Sequence, residues 1–412
     1  MPTRRTKRGA SRVPLRGEHD VVICGASFAG LAIARELAGA DARVLLLDRY
    51  EIGERQTSAC AAPTDWLRAM DVEDSIRQTF GDLVIHTPRT SVRMHLPWTF
   101  STFDYPTLCE LLFEQGDATF ETATVTGRSG TAETLRRRTR ERASEIAGDS
   151  SRERAGAEHV AGLIHVETDR GAVLAPLVVD ALGWRRVLDR TYQPPDAPLS
   201  RGLEVHPSGD GRDLEIWIER GVIPAGYGWS FPAADELRVG VGSFIPHDHV
   251  KRPTVELADR LELPSVRYQG NWIPHRLREA TAGDVFFAGD SAGHCLPLTA
   301  EGIRTAFYFG VACGRELRAV LDGRADRATA LRRYAAFSAR HRWQFEWMLR
   351  VQRLVPRVPP RILALALRGM RADPFVRWSF EHYLGIAHPS HAYPGPPQAR
   401  SRRTRERASV AA

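Results

Sequence analysis

Gly25-Ala26-Ser27-Phe28-Ala29-Gly30 sets two glycines around small residues where an apolar run gives way to a helix-periodic one. Such a turn opens a helix whose free N–H groups face a phosphate. Gly25 permits the tight turn, and Gly30 lets the helix pack closely on the strand before it. Ala26, Ser27 and Ala29 are the backbone positions that meet a diphosphate. Ser27 stands where this fingerprint has its middle glycine, so its Cβ crowds the ligand while its hydroxyl can donate to it. Asp48, with Arg49 beside it, follows eighteen residues after Gly30, where an acid binds adenosine ribose hydroxyls.

A second constellation runs from Val285 to Ile303, again in the order strand, turn, helix. Gly289, Asp290, Gly293, Pro297, Gly302 and Ile303 are its candidate ligand positions. An acid at the strand end can accept from a ribityl hydroxyl of a flavin, and the positive end of the following helix favours negative charge on a reduced ring. Tyr227, Trp229 and Phe231 alternate within Pro224–Pro232, which on a strand turns all three to one face. They either wall a slot or fill a sheet core.

The elements that must hold these residues can be read around them. Asp20–Cys24 and Arg43–Asp48 predict buried strands, and Leu31, Ala34, Leu37 and Ala38 a helix between them, which makes a βαβ unit with a parallel sheet. Leu163–Gly183 predicts two strands about a turn at residues 169–171. Residues 201–245 predict antiparallel strands, including Leu214–Ile218 and Leu237–Val241. A helix should run to about Leu321, and further helices should fill residues 330–386, broken at Pro356, Pro359 and Pro360. Residues 128–158 are rich in Arg, Glu, Ser and Gly and too poor in large apolar side chains to offset ordering, which predicts a mobile insertion. An Arg-Arg-Thr-Arg-Glu-Arg-Ala-Ser octapeptide occurs at 137–144 and again at 402–409.

The 412 residues include 43% hydrophobic and 26% charged, enough for a sizeable core and two or three domains. The net charge of +7 sits at the ends. Residues 1–17 carry +6 and residues 400–409 carry +4, leaving the body mildly acidic. Five scattered cysteines, none at metal-ligand spacing, fit a reduced cytoplasmic chain with no metal. No apolar run of signal-peptide or membrane-spanning kind is present. Nucleic-acid binding has no support beyond the tails.

These segments resemble the geranylgeranyl reductase family of FAD-dependent oxidoreductases, within the para-hydroxybenzoate hydroxylase-like superfamily. The family's Gly-Asp-Ala-Ala-Gly…Pro…Gly-Glu-Gly-Ile is met by Gly289-Asp290-Ser291-Ala292-Gly293, Pro297 and Ala300-Glu301-Gly302-Ile303. Asp180-Ala181-Leu182-Gly183 resembles the superfamily's middle signature, and Glu51-Ile52-Gly53 with Cys60-Ala61 a further family element with a longer spacer. Pro224-Ala225-Gly226-Tyr227-Gly228-Trp229-Ser230-Phe231-Pro232, continued by Arg238-Val239-Gly240-Val241-Gly242, is similar to the signature of isoprenoid-reducing members.

The resemblance implies an α/β fold with a doubly wound, Rossmann-like FAD domain, a second antiparallel-sheet substrate domain and C-terminal helices. The expected division is a basic arm at 1–17, a split FAD domain at 18–84, 104–189 and 276–330, a substrate domain at 85–103 and 190–275, helices at 331–390 and a basic tail at 391–412. It further implies reduction of C=C bonds in a polyprenyl lipid, with NAD(P)H or a reduced carrier protein as electron donor. Cys60 is the first candidate acid and Tyr227 the second, and Tyr227, Trp229 and Phe231 wall the substrate slot. A monooxygenase acting on an aromatic or polyketide substrate stays open as the alternative, because the same FAD motifs serve both. A halogenase is disfavoured, since its Trp-x-Trp-x-Ile-Pro element is absent. A non-enzymatic flavin-binding or membrane-tethering module is the remaining reading. Peripheral contact with anionic membrane, through the basic ends or the Arg361–Arg368 run, is the partner expectation.

Overall fold

The computed structural model describes residues 13–56, 58–129, 162–189, 199–369 and 373–393. Nearly all of the expected insertion, both copies of the octapeptide and most of the two basic ends lie outside them. The last residues of the N-terminal arm are placed: Leu15 donates to the Arg170 carbonyl at 2.8 Å, and Arg170 donates back to the Val13 carbonyl.

Val21–Cys24 forms β1 and Val44–Asp48 forms β2, apolar and buried up to the terminal Asp48 as central parallel strands require. Between them α1, Phe28–Glu36, is buried nearly all round. The first sheet is completed by β6 (Thr119–Thr122), β10 (Leu177–Asp180), β16 (Thr281–Ala282) and β17 (Val285–Phe287), in the order β16-β17-β10-β1-β2-β6. Every pairing is parallel except that of the edge strand β16. A smaller sheet joins β7 (Val125–Ser129), β8 (Ile164–Thr168) and β9 (Gly171–Ala175). The strands β1, β10 and β17 each end in a motif read from the sequence, so the split FAD domain converges on one sheet edge.

The second sheet is built from β3 (Ala61–Pro63), β4 (Ile76–Thr87), β5 (Thr90–Phe103), β11 (Leu199–Val205), β12 (Leu214–Trp217), β13 (Gly226–Ala233), β14 (Glu236–Ser243) and β15 (Gln269–Pro274). Its order is β15-β11-β14-β13-β12-β4-β5-β3, antiparallel apart from the parallel β12–β4 pair. Here the expected boundary differs: residues 61–63 and 76–84 belong to this sheet and not to the first. Register shifts in β4 between Ile76 and Gln78 and between Phe80 and Asp82 break the period-two pattern that would have marked the strand.

The helices are α2 (Thr64–Ala69), α3 (Tyr105–Glu114), α4 (Lys251–Arg260), α5 (Ile303–Leu321), α6 (Arg327–Ala339), α7 (Arg342–Leu354), α8 (Pro360–Gly369) and α9 (Asp373–Gly385). The Asp104 carboxylate caps α3 by accepting from the Thr107 N–H at 3.0 Å. One face of the second sheet packs on α4 through Val205, Val239, Val241 and Leu257. Its other face looks toward the FAD domain. Ile85 on β4 and Val92 and Met94 on β5 seat α8 and α9 through Leu363, Leu367 and Phe380.

Candidate functional site

A cleft of about 900 Å³ lies between the loops of the first sheet and the free face of the second. Its nucleotide end is the turn from β1 into α1. Gly25 has φ +111°, and a Cβ there would lie 2.2 Å from the Ala181 carbonyl oxygen. A Cβ on Gly30 would meet the Gly25 carbonyl at 1.8 Å, so only glycine closes this turn. Ser27 is the N-cap of α1 yet makes no side-chain cap, and its Oγ accepts from the Tyr105 hydroxyl at 3.0 Å. Asp48 accepts from the Ala26 N–H at 2.8 Å and the Tyr50 N–H at 3.1 Å. It therefore ties the turn to the end of β2 as well as lining the cleft. Burial raises its pKa against those hydrogen bonds.

Asp290 stands at the opposite end of the same wall. It lines the cleft, and burial alone pushes its carboxyl up to about 7. A carboxylate in that position is served by a ligand hydroxyl that can donate to it. Behind it Asp180 is fully buried, accepting from the Leu182 and Leu188 N–H groups and from Ser291 Oγ at 2.7 Å. The middle signature thus braces the other two loops. Ser291, which replaces the family's alanine, supplies one of those braces.

The loop before α5 is held in an unusual shape. Leu298 and Ala300 have φ of +71° and +52°, the left-handed region that costs a non-glycine residue roughly 1 kcal/mol. Glu301 pairs with the buried Arg304 at 2.7 Å and accepts from Tyr383 of α9, whose hydroxyl also lies 2.8 Å from Thr299 Oγ1. These contacts aim the uncapped start of α5, at Gly302 and Ile303, into the cleft. Small backbone-exposing residues at both ends, an uncapped helix start at each, and a cleft carboxylate beside the second fit a dinucleotide with a polyol linker, as in FAD.

The aromatic row of β13 faces this cleft and not the sheet core. Gly228 and Ser230 turn the other way, toward α4, while Tyr227, Trp229 and Phe231 line the opening. Strand register aligns Trp229, Gly240 and Glu204 across three neighbouring strands. The indole lies over Gly240, where a Cβ would fall 2.2 Å from Cζ2, and its N–H donates to Glu204 Oε2 at 3.2 Å. The motif on β13 and the Gly-Val-Gly on β14 are therefore one device: glycines seat the indole flat. Leu83, Leu96, Phe100, Leu214 and Ile216 extend the apolar wall. Tyr227 donates to the Thr299 carbonyl at 2.5 Å, and burial pushes its phenol well above the ordinary range.

Of the residues singled out from sequence, Ala26, Ser27, Ala29, Asp48, Arg49, Gly289, Asp290, Gly302 and Ile303 line the cleft. Gly25, Gly30, Gly293 and Pro297 shape its walls from behind. A Cβ on Gly293, for example, would lie 2.0 Å from the Arg276 carbonyl. Cys60 differs from expectation. Ala59 and Ala61 line the cleft, but Cys60, at φ +51°, turns its side chain into the core, where burial raises the thiol well above its usual range. Its carbonyl accepts from Phe103 N–H at 3.0 Å and from Arg238 Nη1 at 3.2 Å, which fixes that orientation. His294 is likewise interior, stacked on Phe309 with ring centroids 3.7 Å apart. Sequence reading passed over Glu204 and His206. The signal was two ionisable residues at alternate positions, Glu204 near the end of β11 and His206 just beyond it.

No family model matches the chain. It is 31% identical over 184 residues to the chloroplastic geranylgeranyl diphosphate reductase of Oryza sativa subsp. japonica, covering 41% of this chain and 38% of that protein. The chain thus spans about two fifths of the relative's length. Among solved structures it is similar to a geranylgeranyl bacteriochlorophyll reductase-like protein from Thermoplasma acidophilum, with a TM-score of 0.71 and 14% identity over 92% of this chain and 98% of that one. It is also similar to PqsL, a probable FAD-dependent monooxygenase from Pseudomonas aeruginosa, with a TM-score of 0.58 and 16% identity over 88% of this chain and all of that one. The fold is that of FAD-dependent oxidoreductases, as the motifs predicted, and the resemblance to geranylgeranyl reductases holds at the level of sequence.

Proposed function

We propose that this chain, with sequence relatives among geranylgeranyl diphosphate reductases and the fold of FAD-dependent oxidoreductases, reduces C=C bonds of a polyprenyl lipid. The observation that carries the reading is the wall of Tyr227, Trp229 and Phe231, continuous with Leu83, Leu96, Phe100, Leu214 and Ile216, in one cleft with the nucleotide turn. An isoprene chain has no polar handle, so a long apolar wall is what recognises it, by burial of about 25 cal/mol per Å².

Ala26, Ser27, Asp48, Asp290 and the start of α5 would hold FAD, which when reduced supplies a hydride equivalent. The chain's own part is to orient the lipid along the aromatic row, to exclude water and to hold a proton near the double bond. Tyr227 is one protic group in reach, though its hydrogen is engaged by the Thr299 carbonyl. NAD(P)H or a reduced carrier protein is the proposed donor.

Contact with an anionic membrane belongs to the same reading. Trp343, Trp347 and Leu354 of α7, Ile362 and Leu365 of α8, and Phe375 and Trp378 of α9 are exposed. Arg350, Arg353, Arg357, Arg361, Arg368 and Arg377 are interspersed and exposed. The inner residues of α9, Phe380 and Tyr383, line the cleft, so a lipid leaving a bilayer beneath these helices would meet the opening. No helix among the described residues is long and apolar enough to cross a membrane. Co-sedimentation with anionic vesicles that is lost in Trp343→Ala/Trp347→Ala supports the contact, and no binding at low salt removes it.

The test of function is anaerobic. The FAD-loaded protein is reduced with dithionite, freed of excess, and mixed with polyprenyl lipids while flavin reoxidation and product mass are followed. Reoxidation with a gain of two hydrogens is expected. A panel that fails, followed by hydroxylated product in air, favours a monooxygenase, whose fold PqsL shares.

A further inference from the structure

Directly below the aromatic wall, the same face of the second sheet carries a buried row of charge. Glu204 and His206 follow one another on the β11 side, with Arg238 and Glu236 opposite on β14. His206 Nε2 lies 2.9 Å from Glu204 Oε1, and its Nδ1 lies 3.3 Å from Glu236 Oε1. Glu236 is also met by Arg238 at 3.1 Å and by the half-exposed Arg267 at 3.3 Å. Arg238 donates to the carbonyls of Ala59 and Cys60 at 2.8 and 3.2 Å, which draws that segment over the row as a cover. Glu204 lines the cleft at one end, and Glu236, at 21% side-chain exposure, reaches solvent at the other.

The geometry has a protonic consequence. An imidazole flanked on both nitrogens by carboxylates satisfies both only when it carries two N–H groups. If the ring is neutral, one of the carboxyls must hold the proton or a lone pair faces an oxygen. The triad therefore binds one proton that has three neighbouring homes between cleft and surface. Burying three ionisable groups in a sheet is costly, and apolar packing would serve stability as well.

We propose that Glu204, His206 and Glu236 form a proton path from solvent to the cleft, with Glu204 as its delivering end. The inference rests on the reductive reading above, in which one carbon of the double bond takes a hydride equivalent and the other a proton. Glu204, protonated from His206, gives its proton to that carbon and returns to carboxylate. The neutral His206 is then recharged through Glu236 from water, so each turnover draws one proton from solvent. Trp229 bonds the other oxygen of Glu204 and so couples the wall to the donor. The groups that face His206 are Glu204, Glu236 and Arg238 from β11 and β14, with Arg267 beyond Glu236. Burial disfavours the charged ring, but the hydrogen bonds and charges of the two glutamates outweigh it and raise its pKa.

Two readouts test the path in the FAD-loaded full chain. The first is the titration of the His206 ring, followed by nitrogen NMR of histidine-labelled protein and assigned by its loss in His206→Gln. The ring should stay charged above the ordinary histidine range, and Glu236→Gln should lower its midpoint by about one unit or more. A ring that is neutral from about pH 5 to 9 overturns the path. The second is the pH profile of flavin reoxidation by the lipid. Glu204→Gln and His206→Gln should slow it by about tenfold or more at unchanged FAD content and abolish its pH dependence, with Glu204→Asp restoring part of the rate. Wild-type rate and profile in both variants overturns the path. If wild type reduces no lipid, the substrate reading fails alone, and the ring titration still decides the path.

Discussion

Replacing Gly240 with alanine puts a methyl group where the indole of Trp229 lies. The new Cβ would sit 2.2 Å from Cζ2 and 2.5 Å from Cε2. Carbon atoms settle at about 3.5 Å or more, so the ring must lift by about 1.3 Å. The Trp229–Glu204 hydrogen bond, 3.2 Å long, does not survive that movement. Overpacking costs about 1–3 kcal/mol, and losing a hydrogen bond to a charged group about 1.5–3 kcal/mol. A destabilisation of about 3–5 kcal/mol is expected, read by urea unfolding at fixed FAD concentration. The same Cβ also meets the Leu203 carbonyl at 2.7 Å, a collision independent of the indole. A double-mutant cycle separates the two. In a Trp229→Leu background Gly240→Ala should cost only about 1–2 kcal/mol, a coupling of about 2 kcal/mol. Equal costs in both backgrounds, within about 0.5 kcal/mol, refute the idea that these glycines exist to seat the ring.

Gly25→Ala, with its Cβ 2.2 Å from the Ala181 carbonyl and φ at +111°, should yield protein without bound flavin; stoichiometric flavin absorbance at wild-type melting temperature contradicts this. Cys60→Ser should leave lipid-driven flavin reoxidation within about twofold of wild type while lowering stability, since its side chain is in the core; a loss of about a hundredfold at full FAD content would restore its role as the acid. Asp290, raised to about 7 from an ordinary 3.8, destabilises the FAD-free fold progressively as pH rises between those values, so Asp290→Asn should stabilise apoprotein at pH 8 by on the order of 2 kcal/mol and weaken FAD binding. Thermal melts with and without FAD check both halves, and an apoprotein unchanged by the substitution refutes the first. For the buried triad the signs oppose one another. Burial would raise Glu236, but His206 and then Arg238 hold it at about 2, so its stabilisation is present above its ordinary 4.5 and fades as pH falls toward 2. That of His206, whose pKa is raised, is complete below its ordinary 6.5 and fades as pH rises through its folded value. Glu236→Gln should flatten the acid limb of the stability profile and His206→Gln the alkaline limb; identical profiles in both variants refute the assignment.

The first βαβ unit was legible because its signals are local. β1, the turn at Gly25, α1 and β2 follow within 28 residues, and each closes on its neighbour in sequence. The second sheet was harder. β4 pairs in parallel with β12, Leu83 beside Leu214, across a separation that no window of periodicity spans, and its bulges hide its own alternation. The aromatic row was visible, but whether it faced a cavity or a core depended on Gly240 and Gly202 lying opposite, which is a property of pairing. The inward turn of Cys60 was hidden for a related reason. Its orientation is set by a positive φ and by Arg238, 178 residues away, and neither leaves a mark in the motif.

Reductase and monooxygenase share this fold, so the FAD loops cannot separate them. What differs between such enzymes must lie on the face of the second sheet that the substrate touches. There the columns of β13, β14 and β11 divide the labour: aromatic rings on the first, Gly242 and Gly240 and then Arg238 and Glu236 on the second, and on the third Gly202 and Glu204, with His206 just past its end. A slot for a hydroxylated aromatic ring needs polar groups spread over its wall to fix orientation. Here the β13 wall is aromatic, and its coupling to buried charge runs through the indole N–H of Trp229 to Glu204, which continues to solvent through His206 and Glu236. Apart from the Tyr227 hydroxyl, engaged by the Thr299 carbonyl, this indole is the polar contact of the aromatic row, and it leads to the group proposed above to deliver the proton. On that proposal Glu204, absent from the nucleotide motifs, is the residue whose substitution should slow reductive flavin reoxidation at unchanged FAD content.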